Sequence, residues 1–158
     1  IELLRPRWVL IMSGTNDALL GRPLGDTYRS LLTQMVERVR ELGPVPVLST
    51  LPPMAVPAHN GQPGEERISE ANRIVEGVAA KEQVPLINRH AALAAPGMVD
   101  DGLAGDGLHL GTYGGDSQPD IMRGSAMLTS PALKYGANRR NLIWLQTLDR
   151  LDQAAEAG

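Results

Sequence analysis

The sequence predicts an α/β fold: a parallel sheet whose short, buried-type strands are joined by helical crossovers. Three observations carry this. Short apolar runs alternate with longer stretches of helical periodicity. The turns between them are short and marked by Gly and Pro. The resulting order, strand–helix–strand–helix–strand, is that of right-handed βαβ units.

The elements follow in order. Residues 7–12 (RWVLIM) form a near-continuous apolar run closed by Ser13 and Gly14, as expected of a strand buried on both faces. Asp26 is a good N-cap for a helix whose apolar positions Leu31, Leu32, Met35, Val36, Val39 and Leu42 recur at helical spacing. Gly43 and Pro44 stop it. Residues 45–50 (VPVLST) are a second strand, with Pro46 near its start, where a missing N–H is tolerated.

A loop rich in Pro, Gly and Asn (residues 56–64) leads to a helix with Ile68, Ala71, Val75, Val78 and Ala79 inward. Residues 84–88 (VPLIN) are a third strand. Irregular, Gly-rich chain runs from about 95 to 136. Asn141 then caps a last helix, residues 141–155, with Leu145, Leu148 and Leu151 inward and Arg139, Arg140, Asp149 and Arg150 outward. With no internal repeat or low-complexity linker, residues 1–158 read as one domain. A doubly wound sheet normally has more than three strands. The expectation is therefore a domain truncated at its N-terminus, its missing strands lying before Ile1.

Composition narrows the function. A chain of this size can bury roughly 68–70% of its unfolded surface. Its 42% hydrophobic content without any Phe makes the core aliphatic. A formal charge of -3 and scattered Lys and Arg argue against nucleic acid and against a basic membrane patch. No apolar run approaches the roughly 20 residues of a bilayer span, and the first residues do not read as a signal peptide. The absence of cysteine excludes disulfides and thiolate metal sites but leaves the compartment open, a secreted or extracytoplasmic protein included.

Ligands of open parallel sheets bind beyond the carboxyl ends of the strands. After the first strand stands Ser13-Gly14-Thr15-Asn16-Asp17. Gly14 permits a tight turn, and the Asn16 amide is a candidate donor to a developing oxyanion; its bland alternative is an Asx-turn. Further on comes Asp106-Gly107-Leu108-His109. On one helical turn this spacing puts the carboxylate and the imidazole on the same side, so Asp106 can hold the Nδ1 proton and free Nε2 as a base. The alternative is a surface loop with an incidental His.

Taken together and in this order, the Gly-x-Asn-Asp segment and the Asp-x-x-His pair resemble the SGNH hydrolases, also called GDSL esterases or lipases. The resemblance covers essentially all of residues 1–111. Residues 48–53 (LSTLPP) look like that family's strand-end loop, residues 72–87 like its last helix–strand unit, and residues 135–142 like the tail of some bacterial members. It implies a flavodoxin-like three-layer α/β/α fold and hydrolysis of carboxylic esters, carbohydrate esters among them, by a Ser-His-Asp triad. On the matching positions it implies Asn16 as an oxyanion-hole residue, Asp106 as the orienting acid and His109 as the base. The family's Ser and Gly blocks precede the Asn block. Here they are absent, so the nucleophile is expected upstream of residue 1 and residues 1–158 alone are expected to be inactive.

Gly115-Asp116-Ser117 offers an internal serine, and with it a stand-alone, permuted hydrolase. Its glycine-rich approach and the unpromising helix start after it make Ser117 a poorly positioned nucleophile. A non-catalytic α/β binding module is the other rival. His59, His90, His109, Asp100, Asp101 and Asp106 have no spacing that constrains a metal, so neither metal nor cofactor is expected. The expected partner is a small-molecule or carbohydrate ester. The strand at residues 7–12, left at an exposed sheet edge, is a candidate for self-association.

Overall fold

Three parallel strands organise the first part of the chain in this computed structural model, which describes residues 3–115 and 122–157. β1 (Trp8–Ile11), β2 (Val45–Ser49) and β3 (Leu86–Ile87) lie in the order β1-β2-β3. Trp8 pairs with Val45, Ile11 with Leu48, and Ser49 with Ile87. A short helix, α1 (Thr15–Leu19), follows β1; α2 (Gly25–Glu41) and α3 (Gly64–Glu82) make the two crossovers. α2 and α3 pack on each other, and both pack on β2. The α/β class with a parallel sheet is as the sequence predicts.

These elements form one compact unit, Ile1–Leu51 with Pro57–Asn88. Its core is β2 and the inward faces of the helices. Pro46, Val47, Leu48 and Ser49 are buried. Tyr28, Leu32, Val36 and Val39 line α2; Ile68, Ala71, Val75, Val78 and Ala79 line α3 as their spacing predicts. Each of the buried Leu, Ile and Val side chains among these contributes about 1.5–3 kcal/mol by burial. Buried Asn72 adds a polar pin: its Oδ1 accepts from Leu51 N at 2.7 Å and its Nδ2 donates to Leu51 O at 3.3 Å, fixing the exit of β2.

Several expectations are corrected here. Residues 8–11 are only half-buried, because β1 pairs with one strand among the described residues. Leu31 and Met35 are exposed, so the apolar stripe of α2 is narrower than its sequence suggests. Leu24, not Asp26, precedes α2; Asp26 sits in the first turn, where its charge still favours the positive helix end.

The second compact unit comprises Pro52–Val56 and Arg89–Gly158. It holds α4 (Arg89–Leu93), a 3-10 turn at Val99–Gly102, another at Ala132–Lys134, and α5 (Gly136–Glu156). The last helix thus begins at Gly136 rather than Asn141. Gly136 lies against the Gly102 backbone; a Cβ there would sit 2.9 Å from Gly102 C, so only glycine fits. Asn138 is wholly buried and accepts from Tyr113 N at 3.1 Å while donating to Gly124 O and Met127 O at 2.6 and 2.8 Å. Asn141 is no cap: its Nδ2 donates to Ser125 O at 2.8 Å. The buried residues of α5 are Gly136, Ala137 and Asn138, whereas Leu145 is exposed and Leu148 and Leu151 are half-exposed, against their expected inward placement.

Candidate active site

In the first unit the chain leaves β1 through Ser13 and turns at Gly14, whose φ of +116° is open only to glycine without strain. A second constraint acts on the same residue. The Tyr28 ring of α2 occupies the space a side chain would need, with Cζ 2.7 Å from an ideal Cβ, while its hydroxyl donates to Ser13 O at 2.6 Å. Burial, reinforced by the Asp17 charge, pushes the Tyr28 phenol well above its ordinary pKa, so it stays a neutral donor. Thr15 to Leu19 form α1 directly after this turn, which leaves Asn16 exposed. Asp17 pairs with Arg22 at 3.1 Å.

Asp106 and His109 belong to the second unit, and there the structure brings them together. Their link is a turn and not the helical turn that the spacing suggested. Leu103 bridges Leu110 in antiparallel fashion; Ala104 N donates to His109 O at 2.7 Å, and Gly107 N to Ala104 O at 2.9 Å. Gly107 has φ +68° and abuts the 52–56 segment, with Val56 Cγ1 3.2 Å from an ideal Cβ; its carbonyl accepts from Ala55 N at 2.9 Å. Asp100, Asp101 and Gly102, all at positive φ, deliver the chain into this small closed loop.

Within it, one carboxylate oxygen of Asp106 accepts from Leu108 N and His109 N, each at 3.0 Å. The other meets His109 Nδ1 at 2.6 Å. The ring hydrogen bond first, and the two backbone N–H groups second, hold the Asp106 pKa down at about 2. Near neutral pH Asp106 is therefore ionised and can only accept. Nδ1 must carry the shared proton, and in the neutral ring Nε2 keeps the basic lone pair. Both side chains are exposed, His109 at 77% and Asp106 at 51%. An oriented imidazole with an accessible Nε2 can take a proton from a hydroxyl and return it to a leaving group.

Ser117 lies outside the described residues. Among the described residues no group of three or more His, Cys, Asp or Glu could hold a metal ion, and no helix is long and apolar enough to cross a membrane. Sequence reasoning missed the residues that build the scaffold. Tyr28 filling the space at Gly14 leaves no local signal, since the two are on different elements. Asn138 left none either, because its partners Tyr113, Gly124 and Met127 are distant in sequence, and it read as part of the tail.

The model of the GDSL-like lipase/acylhydrolase family matches residues 1–116, a span that includes Asn16, Asp106 and His109. The chain belongs to this family. Solved structures resemble it across much of its length. A lipase/acylhydrolase from Enterococcus faecalis is 32% identical with a TM-score of 0.55, over 70% of this chain and 55% of that one. A GDSL-like lipase from Bacteroides thetaiotaomicron is 21% identical, TM-score 0.58, over 68% and 55%. A catalytic mutant of an acetylxylan esterase from Geobacillus stearothermophilus is 22% identical, TM-score 0.54, over 70% and 54%. The chain thus spans about half the length of these proteins. The last two likenesses speak to the fold. No curated protein matches the chain.

Proposed function

We propose that residues 1–158 are the C-terminal part of one SGNH-type serine esterase domain, which hydrolyses carboxylic esters. The observation that carries this is the Asp106–His109 pair, an acceptor-only carboxylate bonded to Nδ1 at 2.6 Å in a chain of a lipase/acylhydrolase family. In this reading a serine outside residues 1–158 attacks the ester carbonyl. His109 Nε2 takes the serine proton and passes it to the departing alkoxide, which leaves as the alcohol. Water then attacks the acyl-enzyme with His109 again as base, releasing the carboxylic acid and restoring the serine. Asp106 keeps the ring in the right tautomer and stabilises the imidazolium. Asn16 donates to the oxyanion, a role that contributes about 10²–10³ in rate. Small acyl or acetyl esters, those of carbohydrates included, are the substrate class to test.

A fluorophosphonate probe tests where the nucleophile lies. Residues 1–158 should not be labelled, whereas the protein extended to include the family's Ser block should be labelled once per chain. Stoichiometric labelling of residues 1–158, abolished by Ser117→Ala, would instead establish a stand-alone hydrolase.

A further inference from the structure

Arg89, the first residue of α4, is withdrawn from solvent to 1% exposure, a rare state for a guanidinium. Its Nε and Nη2 are buried and meet no acceptor among the described residues. α4 packs on α5, and α5 carries Arg140, whose charge is felt at Arg89. Burial, and then the Arg140 charge, lower the Arg89 pKa to about 10. Arg140 in turn lies over the Trp144 ring, 5.3 Å from its centroid, and its Nε donates to Asn141 Oδ1 at 3.0 Å. Trp144 Nε1 is buried and equally without an acceptor. None of the ion pairs formed among the described residues gives Arg89 or Arg140 a carboxylate.

An unpaired buried charge is among the most costly features a fold can carry. Water can satisfy the orphaned donors, but it leaves the repulsion between two like charges uncompensated. An oxyanion answers both demands, and the planar guanidinium fork matches a carboxylate in particular. We propose that Arg89, Arg140 and Trp144 form a binding site for one carboxylate group. It shares no residue with the Asp106–His109 pair and is independent of the esterase reading. The carboxylate is that of a small free acid or of an Asp or Glu in chain outside residues 1–158; the recognising chemistry is the same.

Acetate is the probe, titrated against chloride at constant ionic strength while NMR follows the arginine Nε–H and tryptophan Nε1–H signals. For a free acid, the Arg89 and Trp144 signals move together on one saturable curve, in residues 1–158 and in any longer form the gene encodes. Arg140→Gln weakens that curve about tenfold or more. For a carboxylate supplied by the chain, residues 1–158 respond to acetate, whereas the longer form shows protected signals that ignore it. Signals that exchange freely with water and ignore acetate in both forms overturn the proposal. Arg89→Met gives a second reading, taken in saturating acetate: the site predicts a lower Tm, because a carboxylate loses its partner. A raised Tm means an uncompensated charge has been removed, and the proposal fails. Should Arg140→Gln not fold, Trp144→Phe removes a single donor and must still weaken the acetate curve.

Discussion

Replacing Gly14 by alanine tests how the first unit holds the strand-end turn that carries Asn16. At φ +116° a Cβ brings backbone strain of order 1–3 kcal/mol. The same Cβ would lie 2.7 Å from Tyr28 Cζ, inside van der Waals contact, so the ring must move. Moving it breaks the 2.6 Å hydrogen bond to Ser13 O, which contributes about 1 kcal/mol. Together these give a loss of about 3 kcal/mol, a fall in Tm of roughly 6–12 °C for a chain of this size. Urea unfolding of wild type, Gly14→Ala, Tyr28→Leu and the double variant measures it. Because ring and Cβ contend for one space, the double variant should recover about 1–2 kcal/mol relative to additivity. A cost below about 1 kcal/mol for Gly14→Ala, or strict additivity, would refute the steric account of this turn.

The remaining predictions concern the second unit and the sheet edge. Asn138→Ala orphans Tyr113 N and the carbonyls of Gly124 and Met127 and should cost about 3 kcal/mol in the same unfolding assay; a loss under 1 kcal/mol would contradict the role given to this amide. Asp106 should titrate near pH 2 by carboxyl NMR. Since its pKa is depressed in the folded state, its contribution to stability is complete above about pH 4 and is lost as the pH falls through about 2. A midpoint at the ordinary carboxylate value would mean that the His109 and backbone hydrogen bonds are not formed in solution. Residues 1–158 should associate with rising concentration in sedimentation, and Met12→Lys beside the β1 edge should reduce this; a monodisperse monomer at high concentration removes the edge from consideration.

How much of this was legible in the sequence depends on what each signal encodes. The α3 face was, because Ile68, Ala71, Val75, Val78 and Ala79 fit one helical stripe with little choice. On α2 the adjacent pairs Leu31–Leu32 and Met35–Val36 each offered two apolar side chains, and periodicity cannot say which of two neighbours faces inward. Apolar content likewise read residues 7–12 as buried, since composition reports what a strand suits and not how many partners it has. The Asp106–His109 partnership was visible as a spacing of three. Its route was not, because a helix and a tight turn both satisfy that spacing, and only Gly107 at φ +68° distinguishes them. The start of α5 was missed for a similar reason. Asn141 looked like a cap, while the helix was set by Gly136 fitting against Gly102 and by the bonds of Asn138, long-range contacts with no local mark. Arg89 is the clearest case: nothing beside it in sequence announces that it is buried.

The proposed esterase chemistry depends most on His109 acting as the base of a triad oriented by Asp106. The direct measurement is kcat/KM for an activated acetate ester, taken on the protein extended to include the family's Ser block, with wild type, His109→Ala and Asp106→Asn compared. Losses of about 10³-fold or more for His109→Ala, and a large loss for Asp106→Asn with the fold unchanged by circular dichroism, are predicted. A His109→Ala enzyme retaining activity within about tenfold of wild type would contradict the assignment.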